Sequence, residues 1–250
     1  MTCGYALAMG KDFLGFKVPQ AYPVLYVDGE MQAYELQERL KVLEATFGPD
    51  TESRFKLFCN DAQNPDQVFP NLATSEGQNE VSKLAEGTKV IFLDNLSCLL
   101  RTGKENPAEE WQPMQNWLID ERKKGRSVIF IHHANKKGGQ RGSSKKEDIL
   151  DTVINLKIPP GYAAEEGSRF IVDFSKARAF YGQDAQSFEA IYEEIDGKVT
   201  WHRQEPEDIF QITELLDANH SVREIAEITH MSKSKVGRIV SDINASRQKE

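Results

Sequence analysis

The chain has 250 residues, a net charge of −8, 39% hydrophobic and 28% charged residues, the balance of a globular protein large enough to bury a core. No apolar run approaches the roughly 18 residues of a membrane span, and the opening MTCGYALAMGKDF has no basic lead-in, so no membrane association is expected and a cytoplasmic location is. The acidic balance argues against a protein that coats nucleic acid all over but leaves room for a local basic patch, and Cys3, Cys59 and Cys98 lack the spacing of a zinc site or a disulfide framework.

Residues 2 to 10 are small and apolar and read as a buried helix with no polar lead-in except Thr2. After a Gly- and Pro-punctuated stretch, VLYVDGE (24 to 30) is an apolar strand with Asp28 and Glu30 at its tip. Leu36, Leu40, Leu43 and Phe47 share one helical face, and Gly48-Pro49 ends that helix. Phe55 to Phe58 is a short strand, and 60 to 80 reads as a polar loop. Residues 89 to 100, KVIFLDNLSCLL, then form a nearly continuous apolar strand ending in Asp94 and Asn95. Trp111, Met114, Trp117, Leu118 and Glu121 mark one face of a helix from Pro107 to about Lys124, stopped by Gly125. SVIFIHH (127 to 133) is a third strand, ending in His132 and His133. The stretch 135 to 148 has three glycines and five basic residues in 14 positions and is too polar to order itself. Further strands are expected at 152 to 158, 170 to 174, 188 to 195 and 199 to 201, with Asp196-Gly197 as a hairpin turn.

Strands alternating with helices predict an α/β fold, a doubly wound, mostly parallel sheet with a hairpin-rich end. Such sheets bind ligands at the carboxyl ends of their strands. Here three strands end in Asp28 and Glu30, Asp94 and Asn95, and His132 and His133. One acid at a strand tip is equally well a turn residue. A whole edge of ionisable groups calls for a cation or an anionic ligand to balance it.

VLYVDGEM, NLATSEGQ (71 to 78), VIFLDNLSCLL, the block from Val128 to Leu156 and FSKARAFYG occur in this order, and over roughly residues 1 to 195 the chain resembles RecA-like AAA-family ATPases of the plasmid replicative-helicase (RepA-type) group. The resemblance implies a RecA-like core that forms ring hexamers, binds ATP and Mg2+, and translocates on single-stranded DNA. It makes Glu30 the base that polarises the attacking water, Asp94 the holder of the magnesium shell with Asn95 beside the nucleotide, and His132 or His133 the sensor of the γ-phosphate. Lys176 and Arg178 resemble the basic residues inserted into a neighbouring subunit's site, although a solvated strand face accounts for them as well. Lys136, Lys137, Arg141 and Lys145 would line the ring channel and contact single-stranded DNA, unless the basic loop has no ligand. The glycine-rich phosphate loop, G-x-x-x-x-G-K-[ST], does not occur in the sequence. The expectation is therefore a RecA-like core over 1 to 201 whose first strand and phosphate loop are missing, an N-terminally shortened protein that hydrolyses ATP poorly and is only marginally stable. The missing strand is expected to leave a central slot in the sheet.

After a polar linker (202 to 208), residues 209 to 250 predict a small all-α domain. Ile209, Ile212, Leu215 and Leu216 mark a first helix. A second runs from 222 to 229 behind a capping box of Ser221 and Glu224. A third, capped by Ser232, turns Val236, Ile239, Val240 and Ile243 inward. The tight turn at His230-Met231, with Ala226 at the crossing, resembles the helix-turn-helix segments of invertases and many repressors, and it asks His230 for a left-handed backbone. Residues 232 to 249 carry five basic residues against one acid, which favours duplex DNA contact through Ser232, Lys233, Ser234, Lys235 and Arg238. A helical packing module explains the same pattern. Two functions follow: an ATP-driven ring motor in plasmid or mobile-element replication, or a non-catalytic DNA-binding regulator.

Overall fold

In the computed structural model the described residues are all except 102–106, 134–147, 160–161, 205 and 248–250. The chain divides into two compact units: residues 1–150 with 194–200, and residues 151–193 with 201–250.

The first unit is built on four parallel strands. β1 (Val24–Asp28), β2 (Phe55–Cys59), β3 (Val90–Asp94) and β4 (Ser127–Phe130) stand in the order β2-β1-β3-β4. The apolar run of β1 is buried throughout because both its faces are covered. On one face α1 (Thr2–Met9) packs Ala8 against Val24, Tyr26, Val90 and Phe92. The approach is close: a Cβ on Gly4 would lie 3.2 Å from the Phe92 ring. Beside α1, α2 (Ala33–Phe47) buries Leu36 and Leu43, and Tyr5 donates to the Gly48 carbonyl at 2.9 Å. On the opposite face α3 (Ser75–Leu84), the short α4 (Leu96–Leu99) and α5 (Pro107–Lys123) bring Val81, Leu96, Trp111, Met114 and Trp117 onto Leu25, Val27, Ile91 and Leu93. Helices on both faces of a parallel sheet are the doubly wound α/β architecture.

Three expectations for this unit change. Residues 60 to 80 are not all loop, because α3 begins at Ser75, its first turn capped by Thr74, whose hydroxyl accepts from Gly77 N–H at 3.2 Å. Gly77 is required sterically: a Cβ there would sit 2.2 Å from the Asn71 carbonyl oxygen. Asn71 in turn accepts from Arg101 N–H (3.0 Å) and donates to the Arg101 carbonyl (2.8 Å), fastening the chain beyond α4. Next, β4 stops at Phe130, short of the histidines, and it is half-exposed rather than buried: Ile129 shows 38% of its surface, since β4 stands at the end of its sheet. Finally, the expected single sheet is two. β5 (Thr152–Lys157), β6 (Arg169–Ala177), β7 (Phe188–Ile195) and β8 (Lys198–Gln204) form a second four-stranded sheet in that order, antiparallel between β5 and β6 and between β6 and β7. Its turn at Asp196-Gly197 has two positive φ angles, 53° and 70°, as a tight hairpin between right-twisted strands requires. β8 runs to Gln204, further than the sequence pattern indicates.

The second unit also holds α6 (Glu207–Asp217), α7 (Val222–Ile228) and α8 (Lys233–Arg247). Ile212, Ile225, Val236 and Val240 form their shared core. The capping box is formed: Ser221 Oγ accepts from Glu224 N–H, and Glu224 Oε2 accepts from Ser221 N–H at 2.8 Å. His230 has φ 54°, and Met231 N–H reaches back to the Ala226 carbonyl at 3.1 Å, which closes the tight turn between α7 and α8. No helix among the described residues is long and apolar enough to cross a membrane.

Candidate functional site

The parallel register pairs Asp28 with Asp94, so the two acids stand side by side at the carboxyl ends of β1 and β3. Asp28 is buried. Its Oδ1 accepts from Glu30 N–H at 3.0 Å and Met31 N–H at 2.7 Å, a local turn that carries the chain over the strand tip and sets Glu30 at the rim. Oδ2 of Asp28 has no protein partner among the described residues. Asp94 accepts at Oδ2 from the hydroxyl of Tyr26, which shares a face of β1 with Asp28 by strand alternation. Burial, and then the Asp94 charge, push the Tyr26 phenol far above its ordinary range, so it remains a neutral donor.

Asn95 is buried and caps α4 through Oδ1, which accepts from Cys98 N–H at 3.2 Å. The cap fixes which end of the amide is nitrogen. Nδ2 donates to Glu30 Oε2 and lies 3.0 Å from His133 Nε2, which is itself 3.5 Å from Glu30 Oε2. His133 gets there although β4 has ended, because backbone bonds from Ile131 N–H to Leu93 O (3.0 Å) and from Leu96 N–H to Ile131 O (2.8 Å) lace the chain after β4 to β3 and α4. His132, in the neighbouring position, is half-buried. Burial, then the Glu30 charge, push the Cys98 thiol up, so it stays protonated beside the site. Met1, at the amino end of α1, is close enough to feel the charges of Asp94 and Asp28.

Asp28, Glu30, Asp94, Asn95 and His133 are thus gathered at one edge. The orphaned buried oxygen of Asp28 and the hard oxygen donors beside it suit Mg2+, which takes one or two carboxylates, several waters and the oxygens of a phosphate ligand. Among the described residues no three His, Cys, Asp or Glu side chains form a cage that would hold a metal alone.

The remaining predicted residues belong to other elements or fall outside the described residues. Lys176 is in β6, but Arg178 follows the strand rather than sitting in it, with its guanidinium 3.7 Å from Asp151 Oδ1. Lys136, Lys137, Arg141 and Lys145 lie outside the described residues, as does the Arg238 side chain. Ser232 caps α8 by accepting from Lys235 N–H at 3.3 Å, with Lys233, Ser234 and Lys235 exposed on the first turn. The sequence reading missed Tyr26. The signal available for it was its position two residues before Asp28, on the same face of the strand.

A family model described as an AAA domain matches residues 1–139. Among solved structures the chain is similar to a KaiC-like protein from Pyrococcus horikoshii, with 14% identity and a TM-score of 0.49 over 73% of this chain and 77% of that one. It is similar to the RadB recombinase, with 13% identity and a TM-score of 0.45 over 68% and 75%, and to the flagellar accessory protein FlaH from Methanocaldococcus jannaschii, with 14% identity and a TM-score of 0.49 over 80% and 83%. No curated protein matches the sequence.

Proposed function

Because the chain belongs to the AAA domain family, we propose that it is a nucleotide-dependent motor of the RepA helicase type, a DNA-stimulated ATPase serving replication of a plasmid or mobile element. The observation that carries this reading is the alignment of Asp28, Glu30, Asp94, Asn95 and His133 at the carboxyl edge of one parallel sheet. Magnesium, when bound with ATP, neutralises charge on the transferring phosphate. Asp94 and the free oxygen of Asp28 would hold the magnesium, and Glu30, at the exposed rim, would accept a proton from the attacking water. His133 donates a hydrogen bond to a phosphate oxygen. In a hexameric ring Lys176 and Arg178 reach a neighbouring subunit's nucleotide, and Lys136, Lys137, Arg141 and Lys145 follow the backbone of single-stranded DNA.

The experiment is nucleotide binding and phosphate release by the full chain, with Mg2+, in the presence and absence of single-stranded DNA, beside Glu30→Gln. Binding in both proteins, with slow, DNA-stimulated turnover in the wild type alone, is expected, the missing phosphate loop limiting its rate. Failure of the wild type to bind or hydrolyse ATP would overturn the motor reading.

A second reading, a DNA-binding regulator without turnover, is favoured by the three-helix module, which has its own core at Ile212, Ile225, Val236 and Val240 and an exposed basic turn at Lys233 and Lys235. Sequence-dependent binding of duplex DNA without nucleotide would support it.

A further inference from the structure

Asn95 touches both Glu30 and His133, and the chemistry of its amide restricts what each of them can be. With Oδ1 committed to Cys98 N–H, the group facing the site is NH2, which only donates. It has two hydrogens and two neighbours, Glu30 Oε2 and His133 Nε2. A donor at 3.0 Å from Nε2 needs a lone pair there. We propose that Asn95 is a positioning residue that locks Glu30 and His133 into one unit, holding His133 as the neutral ring with its proton on Nδ1.

The inference rests on the motor reading for its use, but its geometry does not. A ring whose Nε2 is occupied has one donor to offer an anion, Nδ1–H, so His133 meets a phosphate oxygen through that hydrogen. The same amide restrains Glu30, whose carboxylate otherwise stands half-exposed with rotamers to spare. If the imidazole swings toward a ligand, the Asn95 hydrogen it leaves behind is free, and the hold on Glu30 changes in the same movement. A base and a sensor on different segments, after β1 and after β4, thereby share a single side-chain partner.

The test is long-range 1H–15N NMR of the histidine rings in the full chain without nucleotide, the His133 signals being identified by their loss in His133→Phe. The expected spectrum has Nδ1 protonated and Nε2 bare. Asn95→Asp keeps the α4 cap and the side-chain shape but turns the donor into an acceptor, so Nε2 of His133 is expected to gain a proton. A wild-type ring with the proton on Nε2, or a tautomer indifferent to Asn95→Asp, would overturn the proposal. ATP turnover on the same samples is a separate readout: no turnover in the wild type overturns the motor reading, while the tautomer result still decides the role of Asn95.

Discussion

Tyr26 on β1 donates its hydroxyl to Asp94 on the adjacent strand β3, from a position where only 1% of its surface is exposed. The ring stacks on Phe92 with centroids 5.6 Å apart, so its packing survives loss of the hydroxyl. Tyr26→Phe is expected to cost about 1–2 kcal/mol, because the Asp94 oxygen loses its donor next to a buried apolar ring. Urea unfolding of the two proteins measures it, and an unchanged midpoint would show that water replaces the phenol.

Glu121, with none of its side chain exposed, accepts from Ser82 (2.7 Å), Lys124 (2.7 Å) and Arg126 (2.5 Å). Burial alone would raise its pKa, but these donors outweigh it and hold the carboxyl below its ordinary value of 4.5. The folded form therefore prefers the charged state more than the unfolded chain does. Stability from this group is full above about pH 4.5 and falls as the pH drops through the lower folded value. Denaturation midpoints read against pH should show that loss, and Glu121→Ala should remove it at a cost of about 3–5 kcal/mol at neutral pH, since Arg126, with 12% of its side chain exposed, is left unpaired.

Gly77→Ala places a methyl group 2.2 Å from a backbone oxygen of Asn71, a contact that no rotamer relieves. The cost expected is about 3 kcal/mol, at the upper end for overpacking. Because Asn71 also holds Arg101, the variant should show altered backbone amide signals in α4 as well as α3. A change confined to α3 would mean that the two segments are independent.

Lys233→Ala tests the proposed duplex contact. Loss of one phosphate partner lowers affinity about equally for all sequences and reduces the slope of log K against log salt by about 1. An unchanged slope would remove Lys233 from the interface.

What was legible in the sequence follows from burial. β1 and β3 are covered on both faces, so their residues had to be apolar along their whole length, and the acids at their ends stood out. α3 was hidden because its first turn, Ser75, Glu76 and Gly77, is chosen for a cap and a close approach to Asn71, which in one dimension look like loop. β4 has the same apolar run as the buried strands, yet its place at the end of the sheet leaves it half-exposed, and sheet order is not written in a strand's own residues. Asn95 was read as a ligand for nucleotide beside Asp94. That its amide also caps a helix and spans Glu30 and His133 depends on contacts between segments 38 and 65 residues apart.

Asn71 presents to Arg101 one acceptor for its N–H and one donor for its carbonyl, the pair that an adjacent strand would present. The chain thereby gains a cross-tie where no strand runs. In mechanical terms this is an anchorage: a pull arriving along the polypeptide from α5 is carried into residue 71 before it reaches α4.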